Sequence, residues 1–338
     1  MGYKLTRDDF AQDINRLSGQ YRIYAPVLKK GAGRFTDTDV VRYDFVTDAD
    51  EIELTKKSDY AFKEFLTPLS ETLFYFTESK VTEAELPDTP VLIFLRSCDM
   101  HAIKRLDQIY LQNGSMPDWF YNRRRELVKF VLIGCSHSYE NCFCVSMGSN
   151  IAPDGYVFSV DVRDDEVLCD VPDVAFDSFF AAGTQQNVVP CHVTENETRV
   201  TVPENIPLSI FKDPLWDEYT TRCIGCGRCN FVCPTCTCYT MQDVYYTDNG
   251  RVGERRRVGA SCMVDGFTNV AGGGQYRKTQ GERMRFKVLH KISDHKKRFG
   301  VNMCVGCGRC DDVCPEYISY SNIINKVNDA VNAAGKEA

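Results

Sequence analysis

The sequence predicts a multidomain protein of the α+β class, in which a mixed α/β domain precedes an α-helical, cysteine-rich domain. A chain of 338 residues is longer than one core of ordinary size requires. The stretch from Pro203 to Pro214 is rich in proline, which is typical of a linker. The cysteines are also arranged differently on its two sides, so we place the domains at 1–205 and 206–338.

Short apolar or alternating runs predict the strands of the first domain, because buried strands show these patterns. They lie at 21–28, 40–46, 91–95, 127–133, 156–160 and 200–202. Helical periodicity occurs between them, at 8–17, 59–67, 101–111 and 175–182. This mixture is typical of an α/β domain. The second domain contains helical segments around cysteine runs, and it closes with an amphipathic helix at 321–334.

The composition excludes several classes of protein. Hydrophobic residues make up 43% of the chain and charged residues 26%, and no apolar run reaches the length of a membrane helix. Residues 1–19 carry charges where a secretory signal would be apolar, so we expect a cytoplasmic location. In that reducing compartment, 17 cysteines indicate metal ligation rather than disulfides. The net charge of −7 disfavours general nucleic-acid binding.

One internal repeat supports most of the functional interpretation. CIGCGRCNFVCP at 223–234 recurs as CVGCGRCDDVCP at 304–315, and both runs have the form C-x2-C-x2-C-x3-C-P. In two-cluster ferredoxins the fourth cysteine of each such run ligates the other [4Fe-4S] cluster. The repeat therefore predicts a two-cluster ferredoxin domain with the ligand sets Cys223, Cys226, Cys229 and Cys314 for one cluster and Cys304, Cys307, Cys310 and Cys233 for the other.

The alternative for this repeat is a pair of structural zinc sites, because Cys-x2-Cys is common in zinc ribbons. Zinc needs four ligands per site and leaves the third cysteine and the x3-Cys-Pro ending of each run without a role. We therefore favour iron–sulfur clusters. The glycines of both runs would let the backbone approach the cluster sulfides closely.

A possible third [4Fe-4S] cluster is predicted in the first domain. Two of the predicted strands lead directly to cysteine, and the carboxyl ends of parallel strands meet at one edge of a sheet. Four thiols could converge there, with Asp99 and His137 as substitute ligands or supporting groups. The four are Cys98, Cys135, Cys142 and Cys144. The alternative is that these cysteines are small buried side chains.

The remaining signals are weaker. Cys236, Cys238 and Cys262 are expected to pack as buried side chains rather than to ligate a metal. Between 251 and 298 there are 13 Lys or Arg against 4 Asp or Glu, which we assign to offsetting cluster charge and to docking an acidic partner. The chain has no nucleotide-binding glycine motif, so any flavin or nicotinamide is expected on a partner.

These residues also resemble a known family. The segments that carry the resemblance are RSCDMHAIKRLD at 96–107, IGCSHSYENCFC at 133–144, the paired cysteine runs, the CPTCTC of the first run and the stretch GERRR…SCMVDGFTNVAGG…ERMRFKVLHK at 253–291. Together they look like the iron–sulfur subunit of anaerobic sulfite reductase. That iron–sulfur subunit is itself similar to the β subunits of cytoplasmic sulfhydrogenases. In this family the four cysteines of the predicted third cluster correspond to thiols of the amino-terminal domain.

The resemblance implies an electron-transfer subunit with no catalytic centre of its own. It would receive electrons from an NADH-oxidising FAD subunit and relay them to a sirohaem subunit that reduces sulfite to sulfide in anaerobic respiration. The motifs alone do not separate this role from that of a sulfhydrogenase β subunit. Two interpretations from other classes are an iron–sulfur redox sensor that binds nucleic acid and a stand-alone enzyme with its substrate at the Cys98/Cys135 edge.

Overall fold

The computed structural model describes residues 1–34, 37–86 and 88–335. The described strands are β1 Gly2–Thr6, β2 Arg22–Lys29, β3 Val40–Val46, β4 Ser70–Phe76, β5 Val81–Glu83, β6 Val91–Arg96, β7 Val128–Ile133, β8 Phe158–Arg163, β9 Glu166–Asp170, β10 Thr184–Gln186, β11 Tyr239–Tyr245 and β12 Gly253–Gly259. The α-helices are α1 Arg7–Leu17, α2 Ser97–Leu111, α3 Trp119–Glu126, α4 Asp217–Arg222, α5 Arg228–Phe231, α6 Gln280–Leu289, α7 His295–Phe299, α8 Arg309–Asp312 and α9 Tyr320–Ala334. A sheet-rich first region and a helix-rich region with the cysteine runs confirm the predicted fold class.

The main sheet has eight strands in the order β10-β1-β9-β8-β7-β6-β2-β3. Its centre is parallel, because β6 pairs in parallel with both β2 and β7, and β7 pairs in parallel with β8. Strand β6 is buried along its whole length, and its alternate residues enter the two hydrophobic cores on opposite faces of the sheet. Arg96 pairs with Ile133, so β6 and β7 end side by side. The predicted strand-end edge is therefore present.

A second sheet joins distant parts of the chain. Its four strands have the order β11-β12-β4-β5, and β12 is antiparallel to both β11 and β4. Beneath it, the buried carboxylate of Glu71 on β4 accepts two hydrogen bonds from Arg257 on β12, at 3.0 and 2.7 Å. Because this sheet takes strands from both sides of residue 205, the domain boundary there stays a prediction.

Several predicted elements differ in the structure. The strand predicted at 200–202 is wrong: the backbone N–H of Thr201 donates to the Asn325 side chain instead of a neighbouring strand, at 2.9 Å. The helix predicted at 59–67 is reduced to the 3₁₀ turn Phe62–Glu64, and the one at 175–182 is the 3₁₀ segment Val174–Phe180. Both short segments place aromatic side chains in the cores, so burial rather than helical propensity decides their conformation. No helix in the described ranges has the length and apolar character of a membrane span.

Helix α6 is important for the candidate site because it carries Lys287. It begins with a capping box, in which the Thr279 hydroxyl accepts from the backbone of Glu282 and the Glu282 carboxylate accepts from the backbone of Thr279. The helix continues into one π-helical stretch, His290–Asp294, which contains Lys291. Helices with such π turns are frequent at functional sites.

We expect Thr279→Ala to lower the free energy of unfolding by about 1 kcal/mol, because one backbone N–H at the start of α6 loses its acceptor. Thermal unfolding under anaerobic conditions measures this change. The control is Thr221→Ala, an exposed threonine that caps no helix N-terminus. Equal effects of the two substitutions would contradict the capping role.

Candidate metal centre

Three cavities among the described residues are each lined by five cysteines, and we call them sites 1, 2 and 3. Site 1 contains the four thiols predicted for the first cluster, which are Cys223, Cys226, Cys229 and Cys314. The buried ammonium of Lys287 lines the same cavity and donates to Cys229. The backbone N–H of Ile318 donates to the Cys314 sulfur at 3.3 Å. The second cysteine run therefore supplies the fourth thiol of this cavity.

Site 2 contains the four thiols predicted for the second cluster: Cys233, Cys304, Cys307 and Cys310. Lys291, in the π-helical turn after α6, donates to the Cys233 sulfur at 3.3 Å and to the Thr235 hydroxyl at 2.7 Å. Cys304 and Cys307 are buried. Site 2 is therefore an interior cavity with a cation on its wall.

Site 3 lies at the carboxyl ends of β6 and β7, and its thiols are those predicted for a third cluster: Cys98, Cys135, Cys142 and Cys144. Cys98 is in the first turn of α2, where the helix dipole favours a thiolate. The Arg96 guanidinium donates to the Cys135 sulfur at 3.5 Å, and Lys57 lies 3.8 Å from the Cys142 sulfur. The Asn196 side chain is 3.8 Å from the Cys144 sulfur.

The second cysteine run packs directly on the loop of site 3. The backbone N–H of Phe143 donates to the carbonyl of Gly306 at 2.8 Å. A Cβ atom on Gly306 would lie 2.6 Å from the Phe143 backbone, and one on Gly308 would lie 2.4 Å from the Asn141 carbonyl oxygen. Both glycines have positive φ values, 64° and 72°. Only glycine fits this contact, which fixes sites 2 and 3 next to each other.

The three sites form a continuous series. Cys307 lines both site 3 and site 2, while Cys229 and Cys310 line both site 2 and site 1. Site 2 is therefore in the middle. Site 1 is at the surface, because Cys226 is exposed and the neighbouring Ile224 is 61% exposed.

A buried ion pair joins the second cysteine run, next to site 2, to helix α2, next to site 3. Arg309, 1% exposed, donates to both carboxylate oxygens of Asp99 at 2.6 and 2.7 Å, and to the Ser58 carbonyl at 2.9 Å. Asp99 belongs to α2, one residue after Cys98. It is thus held by Arg309 and supports site 3 from outside the cavity, whereas His137 lines the cavity itself.

Burial makes several of these thiols poorer acids than a free cysteine, although the pKa of Cys233 is lowered by its hydrogen bond with Cys236. Burial raises the pKa of Cys144 and Cys304 to about 11 and the pKa of Cys307 to about 12. It also raises the pKa of Cys98 well above the usual range. A metal ligand must be a thiolate, so the binding of metal here has to release protons, and the buried cations stabilise the resulting negative charge.

The donor set fits iron–sulfur clusters. Each site offers four soft thiol ligands, which is the ligand number and type of a [4Fe-4S] cluster. Among the described residues no three Cys, His, Asp or Glu side chains converge closely enough to hold a single metal ion. A cubane needs a different arrangement, because each of its four thiolates reaches a different iron. That these cysteines are ligands stays a prediction.

Comparison with known proteins agrees with this chemistry. The family model for a 4Fe-4S dicluster domain matches residues 222–318, which contain both cysteine runs. The chain is also 30% identical to the sulfhydrogenase 2 subunit beta of Pyrococcus furiosus, over 97% of this chain and 98% of the relative. The chain belongs to the sulfhydrogenase β-subunit family. No solved structure matches it.

As a sulfhydrogenase β relative, the chain is an iron–sulfur electron-transfer subunit, and it is expected to act together with partner subunits. The predictions of a 4Fe-4S domain and of electron transport are confirmed. The resemblance to the iron–sulfur subunit of sulfite reductase is confirmed only in the features that it shares with sulfhydrogenase β subunits.

Sequence reasoning missed the polar groups around the thiols. The buried ones are Arg96, Asn196, Lys287, Lys291 and Arg309, and Lys57 is half-buried. A partial signal exists for two of them, because Lys287 and Lys291 belong to the basic stretch that we assign to offsetting cluster charge. No signal distinguishes Arg309 from Arg228, which occupies the same position in the first run and is exposed.

Proposed function

We propose that the chain is the electron-relay subunit of a sulfhydrogenase-type complex and that it holds three [4Fe-4S] clusters, at sites 1, 2 and 3. The observation that carries this proposal is the series of three cavities that are each lined by five cysteines, in which neighbouring cavities share lining thiols. Bound clusters would accept and donate single electrons. A series of closely spaced sites suits the transfer of electrons from a two-electron carrier to a distant acceptor.

The chain's own residues perform three tasks in this relay. The thiolates hold the clusters, and the glycine contact between the second cysteine run and the 141–144 loop fixes the spacing of sites 2 and 3. Buried apolar residues such as Val305 and Phe143 exclude water from site 2. Lys287 and Lys291 place positive charge beside the sulfurs, which would favour the reduced, more negative state, whereas Asp99 balances the charge of Arg309.

The partners follow from the role of a relay. The resemblance implies that the electron donor is a flavin subunit that oxidises NADH and that the acceptor is a catalytic subunit of the complex, and the chain itself has no nucleotide-binding glycine motif. The surface around Cys226 at site 1 is one place for such a partner. We propose a cytoplasmic complex, with no role for this chain in binding membranes or nucleic acid.

A second candidate is the equivalent subunit of an anaerobic sulfite reductase, which the motifs at 96–107 and 133–144 favour. The two proposals differ in the catalytic partner. Affinity purification of the chain from its native host should yield a subunit that contains nickel if the complex is a hydrogenase. A co-purifying sirohaem subunit would instead assign the chain to sulfite reduction.

We expect anaerobically purified protein to contain at least about twelve iron atoms and as many labile sulfides per chain, since each cubane holds four of each. Cys98→Ser should remove about four irons and one EPR-active centre while the other signals remain. Cys169→Ser is the matched control, because Cys169 is a buried cysteine in the main-sheet core and lines none of the three sites. Unchanged iron in Cys98→Ser would contradict a cluster at site 3.

A further inference from the structure

A fourth group of cysteines lies beside the three sites. Cys236 and Cys238 line a separate cavity together with Lys63 and Asn230. The buried Cys262 reaches this group from the segment that follows β12, and its side chain is hydrogen-bonded to Cys238. Cys236 is in turn hydrogen-bonded to Cys233, a thiol of site 2. The three cysteines expected to pack as isolated side chains are therefore gathered at one place.

Lys63 places a buried basic side chain beside these cysteines. Its ammonium is buried, with 7% of the residue exposed, and donates to the carbonyl oxygens of Cys236 and Asn230 at 2.8 and 3.2 Å. Within the described part of the chain it forms no ion pair with a carboxylate. A buried ammonium is costly unless an anion lies nearby. Burial lowers the pKa of Lys63, whereas the sulfurs of Cys236, Cys233 and Cys238 raise it, so thiolates at this place would keep the ammonium charged.

Asn230 also favours thiolates at this place. This residue is buried, and its side-chain amide nitrogen lies 3.1 Å from the Cys262 sulfur and 4.0 Å from the Cys238 sulfur. A neutral thiol is a weak acceptor, whereas a thiolate accepts hydrogen bonds readily. Site 3 also has a buried amide near sulfur, from Asn196, and a basic side chain beside its thiols, from Lys57. The fourth group thus shares the polar surroundings of a proposed cluster site.

We propose that Cys236, Cys238 and Cys262 ligate a further iron–sulfur centre, next to site 2. Binding would convert three thiols to thiolates with release of their protons, and the thiolates would then balance the charge of Lys63. Only the electron-relay role of this centre rests on the proposed function. Through the contact of Cys236 with Cys233, the centre would be a side branch of the relay, adjoining its middle site.

The test compares iron, labile sulfide and Mössbauer spectra of anaerobically purified full-length variants. Cys238→Ser and Cys262→Ser should each lose about two to four irons per chain, the content of one small cluster, and keep the signals of the other centres. Those retained signals also show that the variant is folded. Cys169→Ser is again the control, because Cys169 is a free cysteine in the main-sheet core and lies outside this group. If both serine variants fail to fold, the iron content of Cys236→Ala is measured instead. The iron content of the wild-type protein is then also compared with that of Cys98→Ser.

Three results would overturn the proposal. One is wild-type iron content in every variant of the group. Another is a disulfide between Cys238 and Cys262 in the native protein, found by mass spectrometry of peptides. The third is loss of zinc instead of iron. The double variant Cys98→Ser/Cys238→Ser separates this proposal from the third cluster of the relay, because the two losses should add only if both centres exist.

Discussion

Replacing Arg309 by methionine is expected to destabilise the protein by about 3–5 kcal/mol, because the substitution leaves the carboxylate of Asp99 buried without its partner. Asp99 is fully buried, and its carboxylate accepts hydrogen bonds from both terminal nitrogens of the Arg309 guanidinium. For a chain of this size the loss corresponds to a fall in melting temperature of roughly 5–10 °C. Thermal unfolding under anaerobic conditions, followed by circular dichroism, measures it.

The internal repeat provides a matched control. Arg228 has the same place in the first cysteine run, but it is exposed, so Arg228→Met should change stability by less than about 0.5 kcal/mol. A second comparison is Asp99→Leu/Arg309→Met, which removes both charges and should recover much of the lost stability. Similar melting temperatures for Arg228→Met and Arg309→Met would show that the buried ion pair contributes little.

Replacing Lys291 by methionine is expected to lower the midpoint potential of the cluster proposed at site 2 by an amount on the order of 100 mV. Lys291 is buried and its ammonium touches the Cys233 sulfur. Reduction adds one negative charge to the cluster, so removal of a nearby positive charge makes reduction less favourable. A redox titration of the anaerobic protein, monitored by EPR, measures the shift.

The control for this experiment is Lys297→Met, which removes an exposed lysine from the next helix. Solvent and salt screen that charge, so the potential should change little. Iron content must be measured in both variants, because Lys291 also donates to Thr235 and could affect cluster retention. A Lys291→Met protein with full iron and an unchanged potential would contradict this electrostatic role.

The thiol groups could be predicted because cysteine spacing and strand ends are local features of the sequence. The two runs give sites 1 and 2, and the parallel pairing of β6 and β7 gives site 3. The supporting cations depend on contacts between remote segments. Lys57, for example, forms an ion pair with Asp312 at 2.6 Å, and no periodicity in the sequence indicates such a pair.

Two other features also depend on tertiary contacts. The repeat predicts glycines that let the backbone curl around cluster sulfide, and Gly306 and Gly308 in fact make room for the 141–144 loop. The pairing of β4 with β12 joins parts of the chain that the linker-like prolines suggest are separate. In both cases the residue types are visible in the sequence, but their partners lie far away along the chain.

The close packing of Gly306 against Phe143 has a consequence for kinetics. In a free ferredoxin, a partner must diffuse to the cluster and find the correct orientation, and ionic strength alters the rate of that encounter. Here the first region belongs to the same chain and packs on the interior end of the dicluster domain. Electron exchange between sites 2 and 3 should therefore be insensitive to added salt, whereas exchange at the exposed Cys226 end should respond to it.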